Sequence, residues 1–347
     1  MGEKDSAVDK SLVSDTLFTE SLAVSAAQSV SSSIFDIRPY RTVEEFNAEL
    51  KRLAALDSKR VVLSTYGTSF DGKALYSITL NPSESHDEDL PEVLVTSLIH
   101  GVEFIAGELC LSLIQRLIED ENSIPWLGAL RKQARFVFTP MLNPDAYDKN
   151  IKRMAMRKLA ATRKNANKTD LNRNFPYKEG LKLRHPASGS SRFTWHPSYL
   201  GSFPLSEPET KALAALVESH QFKVSWSYHS FSGLVLYPRG YTKHKTPDHH
   251  KFLEIAQTFV DAQPHVPYKI LQCSSLYPTK GGLDDWLYDR FGILPLTLEV
   301  SQPRDMLPLR WMNPFCWMNP VNKAYWIEND RDASLKGIAK GLELAIA

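Results

Sequence analysis

Apolar residues change their spacing repeatedly along this chain, and each change marks an element. From Thr42 to Leu56 they recur at helical intervals, with Thr42 placed as N-cap and Glu45 three residues on to complete a capping box. Two strand-like runs, Val61 to Tyr66 and Leu75 to Leu80, flank Asp71-Gly72, a dipeptide that favours hairpin turns. Val93 to Ile99 is almost wholly apolar, as in a buried strand, and residues 104–120 return to helical spacing through Phe104, Ile105, Leu109, Leu113, Ile114 and Leu117. Further strands are expected at Arg135 to Leu142, 223–230, Gly233 to Tyr237 and Leu294 to Val300, and helices at 206–220, 248–262 and 332–346. Ser206 is the expected N-cap of the first of these, ahead of Pro208 and the acidic Glu209.

Strands alternating with helices predict one α/β domain over residues 37–347, a single mixed, mostly parallel central β-sheet flanked by helices. Residues 1–36 are rich in serine, alanine and charge and are read as a disordered leader; they carry no apolar run of signal-peptide or membrane-span length, so a cytosolic chain is expected. A formal net charge of +1 over 347 residues offers no bulk basic surface for nucleic acid, and a monomer is expected. Cys110, Cys273 and Cys316 are odd in number and lack a CxxC spacing, which argues against a disulfide framework and a cysteine-rich structural zinc site.

In sheets of this kind ligands gather at the carboxyl ends of the strands, where His100, His229 and Glu299 fall. His100-Gly101-Val102-Glu103 follows the run at 93–99 and puts an imidazole and a carboxylate within reach of one metal ion, while His229 closes a strand-like stretch of its own. Two histidines and one carboxylate with an open fourth position are the ligand set of a catalytic zinc, so one Zn2+ and hydrolysis by metal-activated water are expected. Glu299 sits in a near-continuous apolar run, where a carboxylate is costly unless paired. Asp170-Leu171-Asn172-Arg173 has neither helical nor strand periodicity; its guanidinium and amide suit a carboxylate ligand, and taken alone the same pattern also reads as a salt-bridged surface turn.

These residues carry a resemblance that runs from about Tyr40 to the last helix. HGVE at 100–103, NPDAY at 143–147, TRKNANKTDLNRNF at 162–175, SEPET at 206–210, HSFSGLVLYPRGY at 229–241, Tyr277 with the Gly281-to-Trp286 stretch, and Leu298-Glu299 together resemble the zinc metallocarboxypeptidases of the A/B and E/N type. The resemblance implies that His100, Glu103 and His229 hold zinc, that Glu299 is the general base, and that Arg163 stabilises the oxyanion. It also implies that Asn172, Arg173 and Tyr277 bind the substrate's terminal carboxylate, and that Asp170 orients His100. Asp284, two positions past the paired glycines, would sit at the bottom of the specificity pocket and select C-terminal lysine or arginine on peptides and proteins. Phe231, Pro278 and residues 300–302 depart from the digestive members. The competing readings are an amidase or deacylase on the same scaffold, and a non-catalytic binder of C-terminal tails. Residues 304–330, with Trp311, Trp317 and Trp326, suggest only an aromatic surface or a lid near the pocket.

Overall fold

The first helix, α1 (Val43–Leu56), begins where the Thr42 hydroxyl accepts the Glu45 N–H and Glu45 reaches back to the Thr42 N–H, closing the expected capping box. Val43, Phe46, Leu50 and Leu53 form its buried stripe. The computed structural model describes residues 40–83, 90–156, 162–178, 180–181, 189–263, 265–301 and 323–347; the proposed leader, Cys316, Trp311 and Trp317 lie outside these.

After α1 come the hairpin β1 (Val61–Thr68) and β2 (Ala74–Leu80), then β3 (Glu92–Ser97), α2 (Phe104–Glu119), α3 (Pro125–Gln133), β4 (Arg135–Thr139) and α4 (Pro144–Ala155). The second half holds α5 (Pro208–Glu218), β5 (Phe222–Ser230), β6 (Leu234–Tyr237), α6 (His249–Ala262), β7 (Lys269–Gln272), α7 (Leu283–Phe291), β8 (Leu294–Val300) and α8 (Lys323–Ile346). The strands make one sheet in the order β1-β2-β4-β3-β5-β8-β6-β7. The pairs β3–β4, β3–β5, β5–β8 and β6–β7 are parallel and the other three antiparallel, so the sheet is mixed and mostly parallel as expected.

Alternation along the strands divides the core between the two faces. Val93 and Val95 of β3 join Phe136 and Phe138 of β4 in the cluster that also takes residues of α1, α2, α6 and α8, whereas Leu94 and Val137 enter a second cluster with residues of α5 and α7. Burial on both faces is why β3 reads as an unbroken apolar run. On the first face α8 lies close to β5, since a Cβ on Gly337 would stand 2.8 Å from the Trp226 ring.

Some expectations need correction. The last helix starts at Lys323 rather than 332, and Trp326 is buried in the main core, 2 % exposed, not part of an aromatic surface or lid. Ser206 does not cap α5: Glu207 holds the N-cap position, with no side-chain capping bond, and the Ser206 hydroxyl donates to its carboxylate. The strands at 93 and 135 stop at Ser97 and Thr139 because Leu98 turns the chain at φ 52 and Pro140 has no N–H to continue a ladder.

Candidate active site

β3, β5 and β8 are neighbours and parallel, so their carboxyl ends open along one edge of the sheet. A left-handed leucine costs about 1–2 kcal/mol. Asn143 holds Leu98 there, its N–H donating to the Leu98 carbonyl at 3.0 Å and its Nδ2 to that of Ile99 at 3.2 Å. The turn delivers His100, and Glu103 follows as the N-cap residue of α2. Its carboxylate makes no capping bond and faces both imidazoles, Oε1 2.9 Å from His100 Nδ1 and Oε2 3.0 Å from His229 Nδ1. His229 stands opposite Glu299 across the β5–β8 ladder.

One ligand atom from each of His100, Glu103 and His229 lies within 4.8 Å of the others, and all three residues are buried. This is the only such group among the described residues. Glu103 Oε2, despite its closeness to His229, lacks hydrogen-bond geometry and is otherwise unpartnered, as suits an oxygen meant for a cation. Burial alone would raise the Glu103 carboxyl, but the imidazoles outweigh it and hold it at about 2. Burial disfavours the His229 cation, and Glu103 overcomes this to push its pKa up.

Asp170 caps a short 3-10 turn at Leu171–Arg173 and lies behind His100. Its Oδ1 is 3.1 Å from His100 Nε2 and accepts the Asn172 N–H at 3.1 Å, while Oδ2 is 2.9 Å from Arg163 Nη2. Against the effect of burial, Arg163 holds the Asp170 carboxyl far below the usual range, and Asp170 in turn keeps Arg163 charged. Arg163 Nη2 is also 2.7 Å from His100 Nε2. That nitrogen cannot donate to Asp170 and accept from Arg163 at once, so the tautomer that frees Nδ1 for a metal turns the guanidinium away from the ring.

A cavity of about 260 Å3 brings together His100, Glu103, His229, Arg163, Asn172, Arg173, Tyr277, Asp284 and Glu299; of the ten sequence-predicted site residues only Asp170 lies outside its lining. Asn172 Oδ1 accepts the Leu283 N–H at 2.9 Å, which leaves the amide N–H groups as its free donors. Arg173 is pinned through Nε to the Gly189 carbonyl at 2.5 Å and through Nη1 to the Asn172 carbonyl at 2.6 Å. Its backbone passes so near Gly281, at φ 74, that a Cβ there would lie 2.0 Å from the Arg173 carbonyl oxygen. Tyr277 is 40 % exposed at the rim. Asp284 is buried and accepts the Thr297 hydroxyl at 2.7 Å, and burial raises its pKa against that bond. Burial likewise raises Glu299, opposed by His229.

Several contributors escaped the sequence reading. Asp285 lines the cavity beside Asp284, accepts the Gly240 N–H, and is pushed up to about 7 by burial. Thr297 was legible, for it lies two residues before Glu299 on β8 and must share its face. Asn150 is less so: its Nδ2 donates to the carbonyls of Gly101 and Thr162 at 3.0 and 2.9 Å, tying the metal loop to the Arg163 loop from a helix the spacing did not reveal.

The sequence profile described as zinc carboxypeptidase matches residues 46–319, and the chain belongs to that family of zinc-dependent hydrolases. Human carboxypeptidase B2 is 29 % identical over 280 residues, covering 75 % of this chain and 63 % of the relative, so the matched stretch spans under two thirds of that protein's length. Rat carboxypeptidase A2 is 28 % identical over 264 residues, covering 74 % of this chain and 61 % of the relative. The structure of bovine thrombin-activatable fibrinolysis inhibitor, solved with a tick carboxypeptidase inhibitor, superposes with a TM-score of 0.71 at 25 % identity, covering 88 % of this chain and 97 % of that one. The cytosolic expectation is overturned: the related carboxypeptidases A and B and the fibrinolysis inhibitor are secreted proteins. The polar composition of residues 1–36 describes that stretch and does not fix a compartment.

Proposed function

We propose that this chain is a zinc-dependent metallocarboxypeptidase that hydrolyses the C-terminal peptide bond of peptides and proteins, with a preference for C-terminal lysine or arginine. The observation that carries the reading is that one cavity holds the His-Glu-His group, a half-buried carboxylate with a raised pKa, and a pinned arginine beside free amide donors. A substrate whose terminal carboxylate meets Arg173 and Asn172 has its last peptide bond within reach of Glu299 and Arg163.

His100, Glu103 and His229 would hold one Zn2+, and the ion supplies the Lewis acidity that makes water a nucleophile near neutral pH. Glu299, raised by burial, takes the proton of the attacking water and passes it to the leaving amine. Arg163 donates to the oxyanion that develops on the scissile carbonyl, an interaction worth roughly 10²–10³ in rate. Tyr277 at the rim closes over the bound carboxylate. Relatives named carboxypeptidase A and B match almost equally, so the preference for a cation rests on Asp284: buried and, among the described residues, accepting from Thr297 alone, it is left unpaired by a neutral side chain and satisfied by a basic one.

The test is cleavage of paired blocked dipeptides ending in Arg or Phe, with chelator and with zinc restored. Zinc-dependent release of Arg well above Phe is expected. Release of Phe alone would discard the basic pocket, and no cleavage by zinc-replete protein would discard the peptidase.

A further inference from the structure

Glu207, within the SEPET stretch, is 1 % exposed and its two oxygens are filled by neutral donors. Asn165 Nδ2 approaches Oε2 at 2.8 Å and Asn167 Nδ2 at 3.1 Å, while the Thr169 and Ser206 hydroxyls donate to Oε1 at 3.0 and 2.7 Å. Three of these four donors belong to one arc, residues 165–169, which also closes on itself: the Asn165 N–H donates to the Thr169 carbonyl at 2.9 Å, and the Thr169 N–H to Asn165 Oδ1 at 3.0 Å. Asn165 Nδ2 reaches Glu209 Oε2 as well, at 3.1 Å. Just outside the arc stand Arg163 and Asp170, joined at 2.9 Å beside His100. The loop is thus fastened twice, by an ion pair at the cavity and by Glu207 at its far end.

We propose that Glu207 is a positioning residue of the reaction: through the arc 165–169 it sets where Arg163 and Asp170 meet, and so the aim of the Arg163 guanidinium. Its kinetic consequences rest on the carboxypeptidase reading; its structural ones do not. A carboxylate suits the site because both oxygens face donors. The NH2 of a glutamine placed at Oε2 would meet the Asn165 and Asn167 N–H groups, and placed at Oε1 it would force the Thr169 and Ser206 hydroxyls to turn and accept while Asn167 Nδ2 still faces it at 3.3 Å.

The experiment compares wild type with Glu207→Gln by hydrogen exchange and by kinetics. Backbone exchange within 162–175 is expected to rise about tenfold in the variant, with and without zinc, while the strands of the sheet keep their protection. With a blocked Arg dipeptide, kcat is expected to fall about 10²-fold with little change in KM, the loss expected of a misaimed group. In an Arg163→Ala background the same substitution should cost almost nothing more, because the two act as one unit. Unchanged exchange in the segment, or losses that multiply in the double variant, would overturn the proposal. Should Glu207→Gln fail to fold, Thr169→Val removes a single donor and carries the same comparisons at smaller amplitude. If wild type cleaves no peptide, the carboxypeptidase reading falls and the exchange result alone decides this one.

Discussion

Asp284 is a buried acid and Glu299 a half-buried one, both with raised pKa values, and their surroundings differ. Asp284 is fixed by Thr297, whereas Glu299 stands opposite His229 at the end of its strand. Glu299→Gln is expected to lower kcat by about 10²–10⁴ while peptide binding, followed by calorimetry, persists. If Glu299 is the base, as proposed, the acid limb of wild-type kcat/KM should lie above the ~4.3 of a free glutamate, since a base works only when ionised and burial raises its pKa; activity falls as pH drops through that value. Asp284→Asn should cost arginine substrates roughly 10²-fold in kcat/KM while leaving phenylalanine substrates within a few fold, as leaving a buried charge unpaired costs several kcal/mol; equal losses on both would remove it from specificity. The metal group was legible because strand ends and short spacing expose it. Asp285, Asn143 and Asn150 were not, because what they do depends on contacts between segments far apart in sequence.

Most of the elements could be read from spacing; the exceptions have more than one physical cause. α3 is nine residues long and buries only Leu127, Leu130 and Arg131, one of them charged. β7 is four residues on a sheet edge, too short for a period to register. α4 and α7 bury polar side chains, Asp145 and Asn150 in one, Asp284 and Asp285 in the other, so their inward faces do not look apolar. α7 is positioned by the turn at Gly281, where Gly281→Ala would add a side chain in left-handed backbone against the Arg173 carbonyl. We expect a stability loss of about 1–3 kcal/mol in denaturant melts and a raised KM for free C-termini. In α8, Asp330 is fully buried and accepts from Gln263 at 2.9 Å and Tyr268 at 2.6 Å; burial, opposed by those bonds, pushes it up to about 7. The folded state therefore keeps a proton that the unfolded chain releases near 3.9. Its contribution is whole below ~3.9 and is lost as pH rises toward 7, so Tm should fall between pH 5 and pH 7.5 in wild type and by less in Asp330→Asn, the fall that remains coming in part from Asp285, which is raised in the same way.

At the scale of the molecule, the cavity is the place where two halves of the chain converge, and the proposed Zn2+ would be held by both. A ligand that binds only the folded state stabilises it by mass action, about 4 kcal/mol at a thousandfold excess over Kd. Chelation should accordingly lower Tm by several degrees and zinc should restore it; indifference to both would argue against a resident metal. The placement of the ligands also sets a timetable for synthesis. His100 and Glu103 leave the ribosome together, but His229 belongs to a strand that joins β3 only after more than a hundred further residues have been made. A nascent chain halted before β5 offers only part of the site and should hold zinc weakly, so capture of the ion during translation would report the moment at which β5 pairs with β3.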